Sequence, residues 1–224
     1  MDGDTVVTTM LLSRLHYPVT SLGFGRRAGI WVQGCTVHCR GCVSRDTWPA
    51  DEAMRVEIDS VLDWLRELDD VDGITVSGGE PTDQPDALRI LLNGIEMWRA
   101  TRANDVDVLL YSGRTTDELA QSLPWLSKAV DVVVSGPYIR ELASDSALRG
   151  SSNQVVEVCS KLGAMRYPAE SREETYADQR REIGVHVDEH TIWMVGIPLQ
   201  NDMTRLRGAL ADRGVTLDRT SWLS

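Results

Sequence analysis

The sequence predicts an α/β protein built on parallel strands, and three observations carry that expectation. Four short apolar runs rich in β-branched residues, at 29–32, 73–76, 106–111 and 131–134, have strand length and strand composition. Each gives way to a polar, glycine-containing loop: Gln33-Gly34, Ser77-Gly78-Gly79-Glu80-Pro81, Ser112-Gly113 and Ser135-Gly136-Pro137. Helical patterns separate the runs, and a connection long enough to hold a helix joins parallel strands rather than a hairpin.

Between the first and second runs, Ile58, Val61, Leu62, Leu65 and Leu68 recur on one helical face, with Glu57, Asp59, Asp63 and Glu67 on the other. A second helix turns Leu88, Leu91, Leu92, Ile95 and Trp98 inward. Thr115 and Glu118 have the spacing of a capping box that opens a third helix, which Pro124 ends or kinks. Past Gln154 the pattern weakens. Residues 169–190 are highly charged, with Arg172-Glu173-Glu174 and Arg180-Arg181-Glu182, and read as an exposed loop or solvated helix. A strand at 191–195 and a helix lined by Met203, Leu206 and Leu210, stopping at Gly214, suggest one more βα unit on the same sheet. The expected organisation is a core over 1–156 and an extension over 157–224.

Composition narrows the function. With 42% apolar and 25% charged residues, the 224-residue chain is neither disordered, collagen-like nor a disulfide scaffold. Its 34 acidic and 23 basic residues give a formal charge of −11, which repels a phosphate backbone and argues against nucleic acid as a partner. No apolar run approaches the roughly 18 residues of a membrane span, and Met1-Asp2-Gly3-Asp4 does not resemble a secretory leader, so a cytoplasmic chain is expected.

Three of the four cysteines, Cys35, Cys39 and Cys42, fall within eight residues, in the loop that follows the first strand. Thiolates so grouped suit a soft metal centre, and an iron–sulfur cubane held by three cysteines leaves one iron open to substrate. Zinc, with His38 completing a Cys3His set, and a dithiol pair at Cys39 and Cys42 are the competing readings. Cys159, in the apolar run after Gln154, is expected to be a buried structural thiol. In barrels of parallel strands the loops at the C-terminal ends converge, which would gather the cysteines, the Gly-Gly-Glu turn and the Ser-Gly turns at one site.

Cys35-x3-Cys39-x2-Cys42 followed by Ser77-Gly78-Gly79-Glu80-Pro81 resembles the radical S-adenosylmethionine (SAM) enzymes, and within them the activating enzymes of anaerobic ribonucleotide reductase. The likeness extends through His16-Tyr17-Pro18-Val19, Gly23-x-Gly25-x-Arg27, Thr47-Trp48, Ser112-Gly113, Asp117-Glu118-Leu119 and Arg149-Gly150-Ser151-Ser152-Asn153-Gln154. Ser44 and Ser135 depart from it, standing where asparagine and aspartate are common.

The resemblance implies a partial (βα) barrel in which Cys35, Cys39 and Cys42 each ligate one iron of a [4Fe–4S] cluster and SAM takes the fourth. It also implies a glycyl-radical enzyme as partner, with a flavodoxin- or ferredoxin-like electron donor. Gly78 and Gly79 would let their backbone approach the methionine part of SAM, Glu80 would face its ammonium, and Pro81 would start the following helix. Ser112 and Gly113 would contact its carboxylate or ribose. Trp31, Trp48 and Tyr111 would line the adenosine pocket or simply pack in the core. His38 is expected beside the cluster rather than on it, and Asn153-Gln154 has no role that the sequence reveals. A radical SAM enzyme with another peptide or small-molecule substrate is the alternative, and a non-catalytic iron–sulfur or zinc module the third reading.

Overall fold

Backbone pairing joins all four predicted runs into one sheet. The structure is a computed structural model that describes residues 8–173, 183–187, 191–199 and 201–222. Three further strands of the seven-stranded sheet escaped the sequence reading: β1 (Thr9–Val19), β3 (Arg55–Glu57) and β7 (Val155–Val158). The predicted strands are β2 (Arg27–Val32), β4 (Gly73–Gly78), β5 (Asp107–Ser112) and β6 (Val132–Ser135). The order is β3-β1-β2-β4-β5-β6-β7. The central four strands are parallel, while β1, β3 and β7 pair antiparallel. A mixed α/β fold with a large, mostly parallel sheet is thus established.

Alternation along the parallel strands separates two faces. Ala28, Ile30, Val32, Ile74, Val76, Val108, Leu110 and Val133 turn to one side, where α1 (Ile58–Arg66), α2 (Pro85–Arg99), α3 (Thr116–Ser122) and α4 (Leu126–Ala129) complete the main core. The predicted apolar faces of the first two helices are buried there, with Leu68 half-buried just past the end of α1. Both halves of the capping box at Thr115 and Glu118 form, and α3 ends at Ser122, two residues before Pro124.

The opposite face carries Leu109, Val132 and Val134 among polar groups. Arg27 is fully buried there. Its guanidinium is held in a two-pronged pair by Asp107 at 2.9 and 2.8 Å and donates to the Thr75 hydroxyl at 2.7 Å. Leu148 and Tyr167 close over this region, the Tyr167 ring tilted by 31° against Phe24 with centres 5.0 Å apart.

The unit predicted past residue 190 does not lengthen the sheet, contrary to expectation. The strand predicted at 191–195 is β9 (Ile192–Val195), and it pairs antiparallel with β8 (Gly184–Val187) in a separate hairpin. β7 already occupies the edge beside β6, so no parallel position is open there. The hairpin instead lies across β1: the Trp193 ring stacks on His186 at 4.3 Å and meets His16 edge-on at 4.7 Å, with the Arg14 guanidinium 4.2 Å from its centre. Val195 joins Val19 and Leu22 in a small apolar cluster against Trp31 and Tyr111.

Between β7 and the hairpin, α5 (Lys161–Arg166) and the single turn α6 (Ala169–Arg172) carry the chain; α6 buries nothing, as its charge predicts. Arg180-Arg181-Glu182 and Met1-Asp2-Gly3-Asp4 lie outside the described residues. In α7 (Asp202–Ala211), Met203, Leu206 and Leu210 are half-buried, and Gly214 takes a positive φ just past the helix, as expected. Among the described residues no helix is long and apolar enough to cross a membrane.

Candidate functional site

The cysteine loop leaves the C-terminal end of β2 and closes on itself. Gly34 N donates to Thr47 O at 2.8 Å and Cys35 N to Trp48 O at 3.0 Å, so both ends of the loop run side by side. Gln33 clamps the base, its side-chain amide donating to Asp46 O at 3.0 Å and Pro49 O at 2.8 Å. Cys35, Cys39 and Cys42 sit half-buried in the intervening bend, all as free thiols. Burial is the main cause that pushes the Cys35 and Cys39 thiols up; Cys39 is further raised by Cys42 and Cys35, and Cys35 by Glu80 and Asp83. The Cys39 thiol, whose ionisation is opposed by its two neighbours, would lose that conflict on bonding a cationic centre.

His38 packs within the loop itself. At φ 50° inside the loop, it stacks its ring on Trp48 at 4.5 Å. Among the described residues no three His, Cys, Asp or Glu side chains gather around a single ion. Cys159, expected to be a buried structural thiol, is half-buried against the edge of the main core; burial pushes its thiol up to about 11.

The Gly-Gly-Glu turn meets the cysteine loop directly. Gly79 N donates to Val32 O at 2.9 Å and Glu80 N to Gly34 O at 2.8 Å. A Cβ on Gly79 would stand 2.0 Å from Gly34 O, and one on Gly78, which has φ +109°, 2.4 Å from Val32 N. The approach that requires glycine here is to the neighbouring backbone of the protein itself.

Glu80 is buried, and its carboxylate already serves the protein. Oε1 accepts from Thr82 N at 3.1 Å, Thr82 Oγ1 at 2.6 Å and Ser112 Oγ at 2.8 Å, while Oε2 accepts from Gly113 N at 2.7 Å. Burial pushes the Glu80 carboxyl up, against the pull of those donors. The group predicted to face a ligand therefore also ties the end of β5 to the end of β4. Pro81 opens a 3-10 turn, Pro81–Asp83, and is followed by α2.

Ser112 and Gly113, predicted for the same site, are within reach of the loop. A Cβ on Gly113 would stand 3.1 Å from the Val37 side chain. Trp48 lies in the loop beside His38, whereas Trp31, near the end of β2 and four residues before Cys35, and Tyr111, near the end of β5, lie with Trp193 on the face opposite the main core. Asn153 and Gln154 acquire a role: Asn153 Nδ2 donates to Pro137 O at 2.8 Å, and Gln154 spans Gly150 N at 2.8 Å and Gly136 O at 3.0 Å, shaping the loop after β6.

Sequence reasoning missed Thr36, Asp83, Arg114 and Gln84. Gln84 bridges β1 to the site, its side chain accepting from Leu11 N at 2.7 Å and donating to Gln33 O at 3.1 Å. The available signal was position alone, since each lies within four residues of a singled-out motif.

Fold and site together define a protein whose parallel sheet carries a three-cysteine loop braced by the turns of the next two strands. Residues 21–157 match the 4Fe-4S single cluster domain family. An anaerobic ribonucleoside-triphosphate reductase-activating protein of Vibrio cholerae is 33% identical over 148 residues, covering 63% of this chain and 94% of the relative. Its namesake in Escherichia coli K12 is 31% identical over 153 residues, with the same shares covered. That of Enterobacteria phage T4 is 31% identical over 134 residues, covering 59% of this chain and 83% of its own. The chain belongs to the 4Fe-4S single cluster domain family and, within it, to the family of these reductase-activating enzymes.

Proposed function

We propose that this chain is a radical SAM activase that generates a glycyl radical on anaerobic ribonucleotide reductase. The observation that carries the reading is the junction of the cysteine loop with the Gly78–Glu80 turn, through Glu80 N on Gly34 O one residue before Cys35. Two motifs separated by more than thirty residues thereby share one edge of the sheet, beside Ser112 and Gly113. The central strands are read as a partial (βα) barrel, with residues 1–156 as catalytic core and 157–224 as an extension against the face opposite the main core.

The donor set suits a [4Fe–4S] cluster: three soft thiols in one half-buried bend, and His38 engaged with Trp48. Cys35, Cys39 and Cys42 would hold three irons and leave the fourth for SAM. When bound, the pair would supply reductive cleavage of SAM and hydrogen abstraction from a glycine of the reductase. The protein's own task is positioning and exclusion of water. Glu80 Oε2, with one donor against three on Oε1, keeps capacity to accept from the SAM ammonium. The Gly78-Gly79 backbone, Pro81, Ser112 and Gly113 would form the adjoining wall.

The setting would be cytoplasmic, with a flavodoxin- or ferredoxin-like electron donor. Residues 158–224 lie beyond the family match and give a specific reason to keep a second reading, a radical SAM enzyme acting on another peptide or small molecule. The test is to mix the reconstituted, reduced protein with SAM and anaerobic ribonucleotide reductase and record EPR spectra. A glycyl doublet that disappears when the reductase's radical glycine is replaced by alanine is expected. Cleavage of SAM with no radical on the reductase would favour the second reading.

A further inference from the structure

Beside the first cysteine, three side chains from three different loops form a closed set of polar contacts that the proposed chemistry does not use. Asp83, at the end of the 3-10 turn after β4, accepts from Thr36 N at 2.7 Å on Oδ2 and from Thr36 Oγ1 at 3.0 Å on Oδ1. Arg114, in the loop after β5, sends Nη2 to Asp83 Oδ1 at 2.8 Å and to Thr36 Oγ1 at 2.6 Å. Thr36 directly follows Cys35. The Arg114 backbone is fixed as well, its N donating to Ser112 Oγ at 3.1 Å and its O accepting from Gly136 N at 2.7 Å.

We propose that Asp83 and Arg114 form a charge-balanced clasp that holds the turn at Cys35 and sets the electron affinity of the cluster this loop carries. The inference rests on the functional reading given above. Both residues are positioning residues, acting on the cluster through Thr36 and through their charge.

Two lines of argument support it. The first is mechanical: a carboxylate that receives both the backbone and the hydroxyl of Thr36 fixes that residue's orientation, and the guanidinium locks the carboxylate in turn. The second is electrostatic. The Asp83 carboxylate lies against Thr36, the residue that follows Cys35, and Glu80 lies buried beside it at the end of the neighbouring turn. Arg114 pairs with Asp83 at 2.8 Å and so offsets its charge. The Asp83 side chain is 15% exposed and that of Arg114 35%, so water screens this pair only in part. Reduction adds one negative charge to a cluster, and net charge around a cluster is among the determinants of its potential. Neutralising the anion therefore favours reduction, and neutralising the cation opposes it.

The test uses the full chain, reconstituted without oxygen, with EPR-monitored redox titration and iron loss to a chelator as readouts. Asp83→Asn is expected to shift the midpoint to more positive potential and Arg114→Gln to more negative potential. Arg114→Lys should stay near the parent, and Thr36→Val should leave the potential unmoved. Asp83→Asn, Arg114→Gln and Thr36→Val should lose iron about tenfold faster than the parent. Should Asp83→Asn fail to fold, the contrast between Arg114→Gln and Arg114→Lys still decides the sign. Shifts in the same direction for Asp83→Asn and Arg114→Gln, or no shift in either, would overturn the proposal and leave a merely structural contact. A parent chain that assembles a cluster yet never cleaves SAM would overturn the functional reading, while the opposite shifts would still uphold the clasp. A parent that assembles no cluster would overturn both.

Discussion

Replacing Gly79 with alanine tests the junction on which the site depends. The added Cβ would stand 2.0 Å from Gly34 O, 2.7 Å from Gly34 C and 3.0 Å from Thr47 O, all backbone atoms that no rotamer change can withdraw. Because Gly79 does not sit at positive φ, the cost comes from contact rather than from the dihedral. Relief requires parting the turn from the cysteine loop, which stretches the Glu80 N to Gly34 O bond of 2.8 Å. Overpacking costs about 1–3 kcal/mol, and a buried donor left without its acceptor costs about 1–3 kcal/mol more. We therefore expect a loss of about 4 kcal/mol in urea unfolding of the metal-free chain, together with poor retention of iron after reconstitution. Gly208→Ala is the control: nothing lies within 4 Å of its added Cβ in α7, so a gain of up to about 1 kcal/mol is expected. A Gly79→Ala protein within 1 kcal/mol of the parent would refute the close contact between the two loops.

Other perturbations follow from single contacts. Asp107→Asn removes the counter-charge of fully buried Arg27 and should cost about 3–5 kcal/mol by denaturant titration. Thr115→Ala removes the capping-box hydroxyl of α3 and should cost about 1 kcal/mol in the same assay. The His16 imidazole is held below its ordinary value of 6.5 by burial, then by His186 and Arg14. A base whose folded value is depressed contributes stability above its unfolded value and loses it as pH falls through the folded one. Unfolding midpoints should therefore decline below about pH 6.5, and the decline should flatten in His16→Gln.

The parallel strands and their helices were legible because their burial is two-sided and periodic. Ile30, Ile74, Val108 and Leu110 sit in runs too apolar to be anything but buried strand, and Leu88 to Trp98 keep a strict helical stripe. β1 was not legible: over Thr9–Val19 it mixes Arg14 and His16 into its apolar run and pairs with two register shifts, so no alternation survives. The four-residue strand β7 offered too short a pattern, and β9 was assigned to the wrong sheet because pairing partners are not encoded in local periodicity. At the site, the cysteines announce themselves by spacing, while the glycine turn and Ser112-Gly113 are marked by the family resemblance and by their place at strand ends. Asp83 and Arg114 do not, since an aspartate and an arginine in separate loops look like ordinary surface charges until the sheet brings the loops together.

The most direct test of the central claim is SAM cleavage by the protein alone. The chain is reconstituted with iron and sulfide without oxygen, reduced, given SAM, and assayed for 5′-deoxyadenosine beside Cys35→Ala, Cys39→Ala and Cys42→Ala. We expect 5′-deoxyadenosine from the parent and none from the three variants. A parent protein that assembles its cluster, binds SAM and yields no 5′-deoxyadenosine under strong reductant would contradict the assignment of radical SAM chemistry to this site.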